Sequence, residues 1–225
     1  MKILLDSADP REIREIASLG LIDGITTNPS LYAGQGSEPS FVDRLGELID
    51  ASPGVVFTQV IGYDDAEVMI RQARWLARQS PRIVVKLPMT VAGIDALVRL
   101  KREDPSIRIA VTAIASVAQA LIAGKAGADV VALFNGPLDT VSDTPVELVG
   151  PVRRIYAASG LPTLILSCGR FPRGVGAYAA AGTDMITLRA EYLRAAYEHP
   201  YTDKRIASFH ADWRRTFGDV TWPTE

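Results

Sequence analysis

Residues 83–90 read IVVKLPMT, and the first six of them decide the fold. Ile83, Val84 and Val85 run together without a polar partner between them. A strand with one wet face alternates apolar and polar residues, whereas a strand buried on both faces is apolar almost throughout, as in a parallel sheet. The same texture returns at KILLD (2–6), GITT (24–27), VVFTQV (55–60), RIAVTA (108–113), DVVALF (129–134), TLILS (163–167) and DMITL (184–188). Helical stretches lie between them. Residues 10–18 open with Pro10 after Asp9, a favourable helix entry. Residues 65–79 place Val68, Ile70, Ala73, Leu76 and Ala77 mainly on one side, and 91–102, 115–126, 145–158 and 172–181 carry similar patterns.

About eight such units in one chain predict a single-domain (β/α)8 TIM barrel spanning residues 1–225. A doubly wound open sheet normally carries a glycine-rich phosphate turn after its first strand. Here that strand runs into Asp6, Ser7 and Ala8. The tail, 203–217, is one more amphipathic helix with Ile206, Phe209, Trp213 and Phe217 at helical spacing. Lying beyond the eighth unit, it is expected to cover the barrel or dock on a neighbouring subunit.

Composition narrows the function classes. Apolar residues make up 48% of the chain and charged residues 22%, which suits a globular protein. A net charge of −2 provides no basic field for nucleic acid. No apolar run is long enough to span a bilayer, and MKILLDSADP has an aspartate where a signal peptide needs its apolar core. A cytoplasmic protein is the expectation. One cysteine, Cys168, and two histidines, His199 and His210, provide neither a disulfide nor a metal-ligand pattern, so no cofactor or metal is expected.

Lys86 interrupts an otherwise buried strand two residues before Pro88 ends it. In a barrel, catalytic side chains come from the C-terminal ends of strands. An amine held there is desolvated, its pKa falls, and the neutral form attacks carbonyls to give a Schiff base. Position alone allows a second description, a lysine snorkelling to the strand end with its head paired to a carboxylate. Other strand ends are polar too: Asp6, Thr26-Thr27-Asn28, Gln59 and Thr112. Singly each fits a turn former or cap. Converging with Lys86, they would supply the nucleophile, carboxylate and neutral hydrogen bonders of a Schiff-base aldol enzyme. Neither a GxSxG elbow nor a histidine partner for Cys168 offers another nucleophile.

The segments LLDSADPREIREIASLGLIDGITTNPSL, IVVKLPMT, AQALIAGKAGADVV and HPYTDKRIASFHADW resemble the transaldolase family. More narrowly, they resemble its short-chain branch of small bacterial transaldolases and fructose-6-phosphate aldolase. The resemblance implies a cofactor-free class I barrel enzyme of carbohydrate metabolism. It also implies a homo-oligomer, pentamer or decamer, whose C-terminal helix packs on a neighbouring subunit. Carried onto this sequence, it implies Lys86 as the Schiff-base lysine and Asp6 as the acid/base near the donor C4 hydroxyl. Gln59 and Thr112 would position the catalytic water. Asn28 would hold donor hydroxyls, with Thr27, Phe134, Cys168 and Arg170 also contributing to the substrate pocket. Sugars or sugar phosphates are the expected small-molecule partners.

Some positions depart from the pattern. Gln59, Ala110 and Ala132 resemble the aldolase, while Phe134 resembles the transaldolases, because the aldolase has tyrosine there. Phenylalanine can neither bind water nor relay a proton. Its presence should slow enamine hydrolysis, and the expectation is transaldolase, with the aldolase as alternative and a catalytically silent sugar-binding barrel as third reading. The family supplies two arginines and a serine to the substrate phosphate. Arg170 matches one arginine, Cys168 replaces the serine and Pro137 replaces the other arginine. Losing one charge-assisted contact costs roughly 1.5–3 kcal/mol, about one to two decades of affinity. Arg173 lies nearby in sequence but is expected to be a solvated surface residue.

Overall fold

The computed structural model describes residues 1–136, 148–170 and 172–219, with residues 172 and 173 described by backbone alone. Eight parallel strands close into a barrel in sequence order. They are β1 (Lys2–Asp6), β2 (Gly24–Thr26), β3 (Val55–Gln59), β4 (Ile83–Pro88), β5 (Ile109–Ile114), β6 (Val130–Leu133), β7 (Leu164–Cys168) and β8 (Met185–Leu188). Helices α1 (Pro10–Ala17), α2 (Pro29–Gly34), α3 (Phe41–Ala51), α4 (Ala66–Gln79), α5 (Val91–Glu103), α6 (Val117–Lys125), α7 (Val149–Ser159), α8 (Pro172–Ala180), α9 (Ala190–Ala195) and α10 (Pro200–Phe217) follow in order. Among the described residues, no helix is long and apolar enough to cross a membrane.

The apolar runs have two destinations. Leu5, Ile25, Val56, Val85, Val111 and Ile165 face outward into the layer between sheet and helices. Leu4, Phe57, Val84, Ala110, Val130, Leu166 and Met185 face inward and fill the barrel. Both layers are dry, which is why the strands do not alternate. Truncating Phe57, 1% exposed at the barrel centre, to alanine should cost about 3–5 kcal/mol.

Two helices that the sequence reading does not include, α2 and α3, lie between β2 and β3. Their starts have side-chain caps: Asn28 accepts from Leu31 N–H and Ser40 accepts from Asp43 N–H. The helix expected over 145–158 is seen from Val149 onward, and residues 145–147 lie outside the described residues. The tail helix α10 buries no residue. Ile206, Phe209, Trp213 and Phe217 are all exposed, with Trp213 and Phe217 packed on each other at 4.6 Å between ring centroids.

The N-terminal mouth of the barrel is tied by a repeated device. Asp23, Asp129 and Asp184 each stand one residue before an even-numbered strand. Each carboxylate accepts a hydrogen bond from the backbone N–H of the neighbouring odd-numbered strand: Ile3 at 2.8 Å, Ile109 at 2.7 Å and Ile165 at 2.7 Å. Asp129 also pairs with Lys101, and Asp184 with Arg153.

Candidate active site

At the opposite mouth, each strand continues inward by the period of two. Two residues beyond Leu4 stands Asp6; beyond Phe57, Gln59; beyond Val84, Lys86; beyond Ala110, Thr112; beyond Leu166, Cys168; beyond Met185, Thr187. Thr26 and Phe134 take the equivalent places on β2 and after β6, and together these side chains line a cleft of about 560 Å³. A dry floor therefore gives way, one residue pair higher, to a ring of polar groups.

Lys86 is 6% exposed and stands between Gln59 on β3 and Ala110 on β5. Its Nζ donates to the carbonyl of Thr27 at 2.8 Å. Burial pulls the amine below the ordinary lysine range. Cys168 and Asp6 oppose that shift. Burial also pushes the Cys168 thiol up to about 12. Cys168 is consequently a neutral lining group, without the activated thiolate of a redox site.

Asp6 Oδ1 accepts from the Thr26 hydroxyl at 2.7 Å, and the Thr26 and Thr187 hydroxyls lie 2.6 Å apart. Thr26 spends its one proton on Asp6, so Thr187 donates to Thr26. A relay across three adjacent strands, β8, β2 and β1 between them, thus fixes one carboxylate oxygen and leaves the other available to the cleft.

Thr112 and its neighbour Ala113 sit in an irregularity of β5, where the register with β6 shifts between Val111 and Ile114. Ala113 has φ 64°, and is the one non-glycine residue with positive φ among the described residues. Such a conformation costs roughly 1–3 kcal/mol and recurs at functional sites. The bulge aims the Thr112 hydroxyl into the cleft, where it is buried with no partner among the described residues. An unsatisfied buried hydroxyl costs about 1–3 kcal/mol. A bound water or substrate hydroxyl would relieve it.

Asn28 commits its side-chain oxygen to the cap of α2, so the amide N–H₂ is the group left for a ligand in the cleft. Gln59, Phe134 and Arg170 also line it. Thr27 differs from expectation. It is 0% exposed and its hydroxyl donates to the Phe57 carbonyl at 2.9 Å, so the side chain does not reach a ligand. Strand alternation sends Thr26 inward instead, and Thr27 contributes the carbonyl that holds Lys86. Of the two branch-marking alanines, Ala132 reaches the cleft, whereas Ala110 lies in the barrel core below it. Pro137 and the Arg173 side chain lie outside the described residues.

Sequence reasoning missed Thr187, Arg189 and Tyr192, all of which line the cleft. The signal for Thr187 was available: it follows Met185 by two, as Asp6 follows Leu4. His199 serves α10 as its N-cap, accepting from Tyr201 N–H. Among the described residues, no group of three or more His, Cys, Asp or Glu side chains could hold a metal ion.

The family described as transaldolase/fructose-6-phosphate aldolase matches residues 3–220. This chain belongs to that family. A probable transaldolase of Shouchella clausii is 39% identical over 216 residues, covering 96% of this chain and 98% of that protein. One of Methanococcus maripaludis strain C5 is 40% identical over 214 residues, covering 95% and 97%. A third, of Rhodospirillum centenum, is 39% identical over 219 residues, covering 96% and 92%. The lysine-centred cleft is thus the cleft of a transaldolase/fructose-6-phosphate aldolase family member.

Proposed function

We propose that this chain is a class I transaldolase that transfers a dihydroxyacetone unit from a ketose phosphate to an aldehyde through a Schiff base on Lys86. One observation carries the reading: a buried, pKa-lowered amine shares its cleft with the carboxylate of Asp6. The Lys86 lone pair adds to the C2 carbonyl, and loss of water gives an iminium. Asp6 takes the C4 hydroxyl proton as the C3–C4 electron pair moves toward the iminium and an aldehyde leaves. The enamine left on Lys86 attacks the acceptor aldehyde, Asp6 returns its proton to the new alkoxide, and water releases the product. Thr112 and Gln59 hold that water, Asn28 holds donor hydroxyls, and Thr27 positions the lysine. The exposed apolar face of α10 packs on a second copy in a ring-shaped homo-oligomer.

Phe134 supports transfer over hydrolysis, since its ring offers the enamine no proton. Gln59 and Ala132 in the same cleft favour the second reading, a fructose-6-phosphate aldolase-type enzyme that releases free dihydroxyacetone.

Borohydride trapping with fructose 6-phosphate, followed by peptide mapping, tests the chemistry. A dihydroxyacetone-sized adduct on Lys86, absent in Lys86→Ala, is expected. No adduct with either fructose 6-phosphate or dihydroxyacetone would leave a binding-only barrel. Omitting the acceptor separates the two enzymes: the aldolase still releases dihydroxyacetone, whereas the transaldolase stalls. Phe134→Tyr should raise hydrolysis relative to transfer.

A further inference from the structure

Arg189 occupies a place where local structure prefers another residue. It is the N-cap of α9 and makes no side-chain cap hydrogen bond. The helices that follow β1 to β5 all begin with acceptors: Asp9, Asn28, Asp65, Thr90 and Ser116 each cap a backbone N–H. A guanidinium has no acceptor and cannot do this. Nor does Arg189 make a side-chain hydrogen bond or ion pair with any described residue. Its side chain lines the cleft instead.

Arg170 lines the same cleft. Cys168 on β7 and Thr187 on β8 are register partners, and the two arginines each lie two residues further along. Gly169 N–H donates to the Thr187 carbonyl at 3.0 Å and ties the two strand ends together. The turn is also held from β6: a Cβ on Gly136 would come within 2.7 Å of the Arg170 backbone nitrogen. Arg170 likewise has no side-chain partner among the described residues. Among the described residues, the cleft is lined by three basic side chains, Lys86, Arg170 and Arg189, against one acidic side chain, Asp6, in a chain of net charge −2. β8 lies four strands from β4 around the barrel, so the arginine pair stands across the cleft from Lys86.

We propose that Arg189 is a specificity residue that forms, with Arg170, a two-arginine clamp for the terminal phosphate monoester of the substrate. Position 137 then needs no arginine, because the second guanidinium comes from the end of β8. The dianion suits two planar forks better than a single one. The inference rests on the proposed sugar phosphate substrate, while its test does not require Schiff-base chemistry.

Inorganic phosphate is titrated calorimetrically into the wild-type chain, Arg189→Ala, Arg189→Lys and the surface control Arg71→Ala. Arg189→Ala should weaken phosphate binding roughly 10- to 100-fold, Arg189→Lys should restore part of it, and Arg71→Ala should match wild type. In borohydride trapping, Arg189→Ala should raise the half-saturating concentration of fructose 6-phosphate by a similar factor and leave that of unphosphorylated dihydroxyacetone unchanged. Equal phosphate affinity in wild type and Arg189→Ala overturns the clamp, as does a wild-type chain that binds no phosphate. Should Lys86 trap nothing, the Schiff-base reading fails alone. The titration repeated in Lys86→Met, with and without Arg189→Ala, still decides whether the clamp exists.

Discussion

The two mouths of the barrel use charge in opposite ways. At the N-terminal mouth, Asp23, Asp129 and Asp184 each accept from a backbone N–H, and two of them also hold a basic side chain. At the C-terminal mouth, and among the described residues, the Lys86 amine makes one hydrogen bond for its three possible donors, the Thr112 hydroxyl makes none, and the Arg170 and Arg189 side chains are unpaired. The two arginines are exposed and bear little penalty, but burial penalises the incompletely paired Lys86 amine and the Thr112 hydroxyl. The first mouth therefore contributes stability, and the second gives some of it up in exchange for groups ready to meet a ligand.

Removing Lys86 should produce the largest contrast. Lys86→Met should abolish adduct formation and carbon–carbon bond exchange while raising the melting temperature. The sign follows from linkage. The folded pKa lies below the unfolded value of 10.5, so the unfolded chain binds a proton more readily. As pH falls from above 10.5 to the folded pKa, this disfavours folding progressively, and at lower pH the penalty stays constant. A melting temperature lower than wild type at pH 7 would break the comparison.

Asp6→Asn should slow exchange by about 10²–10⁴-fold, the usual contribution of a positioned acid/base. The pH profile adds a second readout. Attack on the ketone needs the neutral amine, so the rate should climb through an acidic limb below the ordinary lysine value. Losing the Asp6 charge removes a cause that raises the Lys86 pKa, so in Asp6→Asn that limb should move to lower pH. A limb that moves upward would contradict the electrostatics given above.

The opposite mouth should respond in stability alone. Asp184→Ala leaves the buried Ile165 N–H and Arg153 without their carboxylate, a loss of about 1–3 kcal/mol by denaturant unfolding. Its kcat should match wild type; a large fall would mean that the two mouths are coupled. The smallest effect belongs to the relay. Thr187→Val should reduce kcat by roughly 10-fold, the worth of one hydrogen bond, and Thr187→Ser should recover it. Equal rates for valine and serine would remove the relay from the mechanism.

The barrel was legible because its signal is local. Strands buried on two faces need apolar residues throughout, so the eight runs appear in the sequence within a residue or two of their observed ends. The polar residue closing such a run marks its C-terminal end, and Asp6, Gln59, Lys86 and Thr112 could be picked out that way. Helices α2 and α3 were less legible, their short apolar stripes being interrupted by Gly34, Gly36 and Pro39.

The sequence by itself determined an inward or outward alternation on each strand, but not its phase. Only ring closure decided that Thr26 enters the cleft and Thr27 turns to Phe57. Only the β7–β8 register put Arg170 and Arg189 on neighbouring strand ends of one cleft, and only the surrounding walls desolvated the Lys86 amine. Alternation depends on neighbours one and two residues away, whereas convergence and desolvation depend on residues from all eight strands.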